Sequence, residues 1–215
     1  MSKLDLSPLY FITNEWSDKS IIKQIEDYAS GGGTLVQLRI KEKPIEDVRS
    51  IAIEVKALCD QLNIKLIIND YVELARELNV DGVHIGKRDK NPKDTRSIIG
   101  KDMILGCTAN SFNDINALPH DDIDYIGLGP YQFTSTKKNL STCLGLEGYN
   151  DIITQCKKHC IDIPIYAIGG INIQDIELLI QSGIYGVSVS GAIANTEDVH
   201  LSTQQFINRI NIAKK

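Results

Sequence analysis

The sequence predicts an α/β chain folded as a single (β/α)8 barrel spanning residues 1–215, and three observations carry that expectation. Eight short apolar runs recur along the chain, segments of helical periodicity lie between them, and the runs are apolar on both faces, as strands covered on both sides must be. A doubly wound open sheet is the alternative, but no G-x-G-x-x-G turn follows the first run, where a dinucleotide fold would place it. The length lies at the low end for such barrels and still suffices to bury a full core.

Leu9 to Ile12 is the first run. Ile21, Ile22, Ile25 and Tyr28 then make an apolar face after Ser17-Asp18, and Gly31-Gly32-Gly33 stop that helix before the second run, Thr34 to Leu38. The clearest helix follows. Ile45, Val48, Ile51, Ala52, Val55, Leu58, Cys59 and Leu62 keep spacings of three and four, with Pro44 at the first helical position. Lys65 to Ile68, Gly82 to Ile85, Met103 to Leu105, Tyr125 to Leu128, Pro164 to Ile168 and Gly186 to Val189 supply the remaining strands. Asn172 caps a helix bearing Ile176, Leu179 and Ile180 that ends near Gly183. The longest stretch without periodicity runs from Gly129 to about Gly145, and a loop of that length in a compact domain is usually functional or mobile.

Composition narrows the function. A net charge of -5 and an isoelectric point near 5.4 argue against a general nucleic-acid binder, so any anion site must be local. Five cysteines without C-x-x-C spacing suggest neither a disulfide framework nor a zinc site, and are expected to be reduced thiols in the cytoplasm. The first apolar run is too short for a signal peptide, and no run approaches the ~18 apolar residues of a membrane span, so no membrane partner is expected.

In a barrel of this kind reactive groups project from the C-terminal strand ends, so the polar residues that follow each run are read together. Gln37, Arg39 and Lys41 alternate onto one side, with Leu38 and Ile40 on the other. They are either a solvated strand end or a basic clamp for a phosphate or pyrophosphate, which a forked guanidinium and an ammonium both suit. Asn69 and Asp70 follow the third run; His84, Gly86 and Asp89 follow the fourth. Asp70 and Asp89 from neighbouring strand ends suit one Mg²⁺, which takes a few carboxylates plus water and substrate phosphate oxygens. Asp70 as a helix cap, Asp89 as a turn residue and His84 as a satisfied core histidine are the structural alternatives.

Thr108 ends the fifth run with a hydroxyl for a phosphate or for its own backbone. Thr134, Ser135, Thr136 and Lys137 set three hydroxyls and an ammonium in succession after the sixth. Gly169-Gly170 and Ser190-Gly191 end the seventh and eighth, where small residues let a ligand approach the backbone and barrels often hold phosphate. Two anion sites, one metal-linked and one of backbone N–H groups, match two small phosphorylated substrates meeting across the barrel mouth.

At this point the chain resembles the thiamine-phosphate synthase family. The resemblance rests on Gln37-Leu38-Arg39-Ile40-Lys41, Ile68-Asn69-Asp70, Asp81-Gly82-Val83-His84-Ile85-Gly86 with Asp89, Gly129-Pro130 with Thr134-Ser135-Thr136-Lys137, Ala167-Ile168-Gly169-Gly170-Ile171 and Gly186-Val187-Ser188. The segments occur in the family's order over nearly the whole chain. The resemblance implies a transferase that joins 4-amino-2-methyl-5-hydroxymethylpyrimidine diphosphate to the ring nitrogen of 4-methyl-5-(2-hydroxyethyl)thiazole phosphate, releasing pyrophosphate. It further implies that Gln37, Arg39, Lys41, Asn69, Thr108 and Lys137 contact the pyrimidine diphosphate, with Arg39, Lys41 and Lys137 holding the leaving charge. Asp70 and Asp89 would bind one Mg²⁺, and Thr134, Ser135, Thr136, Gly170, Ser190 and Gly191 the thiazole phosphate.

Two departures stand out: Thr108 where the family usually has serine, and Gly191 where it commonly has serine. The stretch from Asn139 to Gly148 matches the pattern loosely. A related thiazole tautomerase would need a catalytic histidine after the sixth strand, and none lies between Gly127 and Lys158. A catalytically silent barrel that binds thiamine precursors is the third reading, and the aspartate pair and basic clamp weigh against it. The oligomeric state is open at this stage.

Overall fold

The computed structural model describes residues 6–41, 43–134 and 141–215. Eight parallel strands close a barrel in chain order: β1 (Leu9–Ile12), β2 (Leu35–Leu38), β3 (Lys65–Asn69), β4 (Gly82–Ile85), β5 (Ile104–Ala109), β6 (Tyr125–Leu128), β7 (Ile165–Ile168) and β8 (Gly186–Val189). Closure is made by β8 beside β1, with Leu9 opposite Val187 and Phe11 opposite Val189.

The expected strands hold to within a residue or two except the fifth, which runs on through Gly106, Cys107 and Thr108 to Ala109. Its apolar pattern breaks because Gly106 and Thr108 face the barrel interior. A Cβ at Gly106 would stand 2.0 Å from the Tyr125 ring, and Thr108 Oγ1 lies 3.0 Å from His84 Nε2.

The connecting helices are α1 (Ile21–Ser30), α2 (Ile45–Leu62), α3 (Val72–Leu78), α4 (Pro92–Ile99), α5 (Phe112–Ala117), α6 (Gly145–Lys158), α7 (Ile176–Gln181), α8 (Gly191–Ala194) and α9 (Val199–Ala213). Ser20 caps α1 by accepting from the Lys23 N–H, so the cap falls later than Ser17-Asp18. Ser17 instead donates to the Ala194 carbonyl. Pro44 stands one place before the first turn of α2. Asn172 and Asp175 form a capping box around a 3-10 turn that leads into α7.

Side chains alternate between two cores. Val36, Leu38, Leu66, Ile68, Val83, Leu105, Ile126 and Val187 point outward against the helices, whereas Leu6, Tyr10, Leu35, Ile67, Ile104, Tyr125 and Tyr166 fill the barrel interior. The inner filling is aromatic, with Tyr10, Tyr125 and Tyr166 in mutual edge-to-face contact at 5.5 to 5.7 Å between centroids. Packing of that kind makes the lower barrel solid and leaves only its C-terminal end open to ligands.

Candidate active site

The next inward positions along the strands are polar. Two residues beyond Leu35 comes Gln37, beyond Ile67 comes Asn69, beyond Gly82 comes His84, beyond Gly106 comes Thr108 and beyond Gly186 comes Ser188. Gln37, Asn69, His84 and Ser188 are buried, so this ring forms the floor of the mouth. Most of its polar atoms are engaged: Gln37 donates to Tyr10, and His84 meets Tyr125 and Thr108. That settles His84 as a bonded interior residue. Asn69 differs, because its buried Nδ2 has no hydrogen-bond partner among the described residues. A buried donor without an acceptor is costly and marks a place where a ligand atom belongs.

Above this floor on the β2 to β4 side sits a charge cluster. Arg39 and Lys41 hang from a segment tied to the first strand's loop: the Arg39 N–H donates to Thr13 Oγ1 at 3.0 Å and the Lys41 N–H to Glu15 Oε2 at 2.6 Å. The Lys41 ammonium pairs with Asp70. Asp70 has φ of 68°, a left-handed conformation that Asp tolerates better than most residues, and its N–H donates to the His84 carbonyl at 2.9 Å. Tyr71, not Asp70, occupies the N-cap of α3, so the helix-cap alternative for Asp70 does not hold.

Asp89 turns back toward the cluster. Its Oδ2 accepts from the Gly86 N–H at 2.6 Å, and a Cβ on Gly86 would meet that oxygen at 2.9 Å, so glycine there permits the approach. Burial raises the Asp70 carboxyl above its ordinary pKa, and the adjoining Asp89 charge adds to this while Lys41 opposes it. Burial likewise lowers the Arg39 guanidinium, against the charges of Asp70 and Glu15.

No group of three or more His, Cys, Asp or Glu side chains forms a closed metal cage among the described residues. Two carboxylates crowded against each other do suit Mg²⁺, which completes its shell with water and substrate oxygens.

The opposite side of the mouth is built from backbone. The loop after β6 lies along the end of β7, with the Tyr131 N–H donating to the Ile168 carbonyl at 2.9 Å and the Gln132 N–H to the Gly169 carbonyl at 3.0 Å. Gly169 and Gly170 have φ of 93° and 71°. A Cβ at Gly170 would stand 2.7 Å from the Phe133 carbonyl, so a side chain there would push the loop carrying Thr134 away. Ser190 and Gly191 open the short α8, which is bound to the first loop by Asn14 Nδ2 donating to Asn195 Oδ1 and by Lys19 Nζ donating to the Thr196 carbonyl. Ser135, Thr136 and Lys137 lie outside the described residues.

The structure therefore brings Gln37, Arg39, Lys41, Asn69, Asp70, Asp89 and Thr108 together, with Thr134, Gly170, Ser190 and Gly191 on loops across from them. Sequence reasoning missed Glu15, which holds the Lys41 backbone, and Tyr10 and Tyr125 beneath the floor. The available signal was a tyrosine within an apolar strand, since its buried hydroxyl must find a partner.

A family model described as thiamine monophosphate synthase matches residues 9–193. A protein named thiamine-phosphate synthase from Bacteroides thetaiotaomicron is 41% identical over 206 residues, covering 96% of this chain and 99% of its own length. A protein of the same name from Flavobacterium johnsoniae is 38% identical over 202 residues, covering 94% and 95%. The solved structure of a thiamine phosphate pyrophosphorylase from Pyrococcus furiosus superimposes with a TM-score of 0.83 at 25% identity, covering 96% of each chain.

Proposed function

The chain belongs to the thiamine monophosphate synthase family and forms thiamine phosphate by condensing a pyrimidine diphosphate with a thiazole phosphate, and we propose that it does so by Mg²⁺-assisted dissociative displacement across its two-sided mouth. The supporting observation is the charge cluster of Arg39, Lys41, Asp70 and Asp89 beside the Asn69 Nδ2, which has no partner among the described residues. It is chemistry for a departing diphosphate, with no nucleophile required of the protein.

On this reading Gln37, Asn69 and Thr108 receive the pyrimidine diphosphate on the floor, while Arg39, Lys41 and Lys137 hold the leaving charge. Asp70 and Asp89 would hold one Mg²⁺, whose contribution is to neutralise diphosphate oxygens. Thr134, Ser135, Thr136, Gly170, Ser190 and Gly191 seat the thiazole phosphate. The bond between the pyrimidine methylene carbon and the diphosphate oxygen breaks, and both electrons leave with pyrophosphate. The aminopyrimidine ring delocalises the resulting cation until the thiazole nitrogen lone pair forms the new C–N bond. Water must be kept from that cation, and the aromatic barrel filling beneath it leaves no path from below.

Among the described residues no helix is long and apolar enough to cross a membrane. The five cysteines are unpaired, and burial pushes the Cys59 and Cys107 thiols up to about 12, so both are inert; a reducing cytoplasmic setting fits them.

The test is to supply both substrates and Mg²⁺ to the purified protein and follow thiamine phosphate and pyrophosphate, with EDTA and Asp70→Ala as controls. Equal, metal-dependent yields are expected. Thiazole phosphate binding without product would point to a tautomerase or a silent binding barrel instead. Lys137→Ala should lower turnover far more than thiazole phosphate binding, and near-normal turnover would remove lysine from the account.

A further inference from the structure

Beneath the mouth, five polar side chains make one line of hydrogen bonds across the barrel. Gln37 Nε2 donates to the Tyr10 hydroxyl at 2.8 Å, the Tyr10 and Tyr125 hydroxyls meet at 2.9 Å, and the Tyr125 hydroxyl meets His84 Nδ1 at 2.9 Å. His84 Nε2 then meets Thr108 Oγ1 at 3.0 Å. Tyr10 and Tyr125 are each 1% exposed and Gln37 3%, so water does not substitute for any link between them. Two glycines make room for the rings. A Cβ at Gly106 would reach within 2.0 Å of Tyr125, and one at Gly127 within 3.2 Å of His84. The His84 and Tyr125 rings are stacked at 5.5 Å with 30° between their planes.

With the Gln37 amide nitrogen toward Tyr10 and the Tyr10 hydroxyl buried, so that its own hydrogen must pass along the line, one hydrogen to a contact sets the direction. Gln37 supplies the first from its amide nitrogen. The Tyr10 hydrogen then passes to Tyr125, and the Tyr125 hydrogen to Nδ1 of His84. A neutral imidazole accepting at Nδ1 carries its own hydrogen on Nε2 and donates it to Thr108. Since Thr108 accepts at that contact, its hydroxyl hydrogen points elsewhere. Were the Gln37 amide turned so that Oε1 faced Tyr10, every link would reverse and Thr108 would donate to His84.

We propose that Gln37, Tyr10, Tyr125 and His84 form a directional relay that holds His84 as the Nε2–H tautomer and fixes Thr108 as a hydrogen-bond donor toward the bound pyrimidine diphosphate. The identity of that ligand rests on the reading in the previous subsection; the tautomer does not. Tyr10, Tyr125 and His84 act here as positioning residues through Thr108. A freely turning hydroxyl accepts or donates with equal ease, whereas one held by the relay favours a ligand atom with a lone pair and disfavours one bearing a hydrogen.

Long-range ¹H–¹⁵N correlation of imidazole-labelled protein tests this, with the His84 signals identified by their loss in His84→Gln. The relay requires a pyridine-like Nδ1 and a pyrrole-like Nε2 for His84 without any substrate present. Tyr125→Phe removes the donor to Nδ1 and should shift that pattern toward a tautomer mixture. In steady-state assays Thr108→Val should lose about 10- to 100-fold in kcat/KM for the pyrimidine diphosphate, and Thr108→Ser, which keeps the hydroxyl, should recover most of that loss. The KM for thiazole phosphate should stay unchanged in both.

An Nδ1–H tautomer or an imidazolium in the parent protein would overturn the relay, as would a Tyr125→Phe spectrum identical to the parent's. If Tyr125→Phe does not fold, the parent spectrum and the two Thr108 variants decide the matter. An inactive protein with the Nε2–H tautomer would sink the synthase reading alone, and an active one with the Nδ1–H tautomer would sink the relay alone.

Discussion

Replacing Asn69 with leucine should make the ligand-free protein more stable and the enzyme worse. The Asn69 side chain is 6% exposed and its Nδ2 has no partner among the described residues, so the folded state carries an unpaid donor. Leaving such a group unsatisfied costs about 1–3 kcal/mol, and leucine has the same branching at Cγ without polar atoms. For a chain of this length each kcal/mol corresponds to about 2–4 °C, so a rise of a few degrees in Tm is expected without substrate.

The same replacement removes a donor facing the proposed diphosphate. Hydrogen bonds to charged groups contribute about 1.5–3 kcal/mol, which predicts a fall of roughly 10- to 150-fold in kcat/KM for the pyrimidine diphosphate. Calorimetry of the ligand-free protein and initial rates of thiamine phosphate formation measure the two halves separately. A Tm lowered by several degrees together with preserved kcat/KM would show that the Asn69 amide has a structural partner and no ligand, and the reasoning would fail.

Asp70→Asn should lower turnover at least about 100-fold at any Mg²⁺ concentration, read by metal titration of the initial rate. Because burial raises the Asp70 carboxyl, with Asp89 adding to the rise, its proton returns at a higher pH than for an ordinary aspartate, and the protonated form does not bind a cation. The Mg²⁺ concentration for half-maximal rate should therefore climb on acidification from above the usual carboxylate range, and a flat profile would contradict this. Gly106→Ala should cost about 1–3 kcal/mol by overpacking against Tyr125, seen as a lowered Tm; an unchanged Tm would mean that the ring moves freely.

Asp114 supplies a linkage test. Burial pushes its carboxyl up, but Lys87, the Asn110 N–H and Ser111 together bring it below its ordinary value. A depressed folded-state pKa gives stability above the unfolded value that is lost as pH falls through the folded one. Asp114→Asn should thus be less stable by at most about 1 kcal/mol at pH 7, with the difference closing in acid, as followed by denaturant melts across pH.

The barrel was legible because each strand is a contiguous apolar run, and both faces of such a run are buried whichever way it is indexed. The fifth strand was cut short because Gly106 and Thr108 are wrong for a strand taken alone. They become right only when Tyr125 and His84 arrive from neighbouring strands. The nearness of Asp70 and Asp89 and the Gln37-Arg39-Lys41 alternation were readable from strand-end position and period.

Glu15 was not readable. It bonds the Lys41 backbone 26 residues away and places its charge near Arg39, and no local pattern encodes tertiary contacts of that kind. The helix caps erred by one to three residues at Ser20 and Pro44, because several neighbouring polar or turn-forming residues compete for each cap and packing chooses among them. Ser135, Thr136 and Lys137 rest on the sequence pattern alone.

The bonds joining the first loop to α8 have a consequence for the order of assembly. Asn14, Ser17 and Lys19 are made long before their partners at Ala194, Asn195 and Thr196, which follow them by some 177 to 181 residues. The charged half of the mouth, residues 37 to 89, can gather on a nascent chain long before the rim beside it exists. Contacts of such long sequence separation are slow to form, so the rim of the opening that receives two substrates closes after the local structure of its charged half. Exchange protection at residues 14–19 and 190–196 should rise and collapse as one unit, although nearly the whole chain separates them.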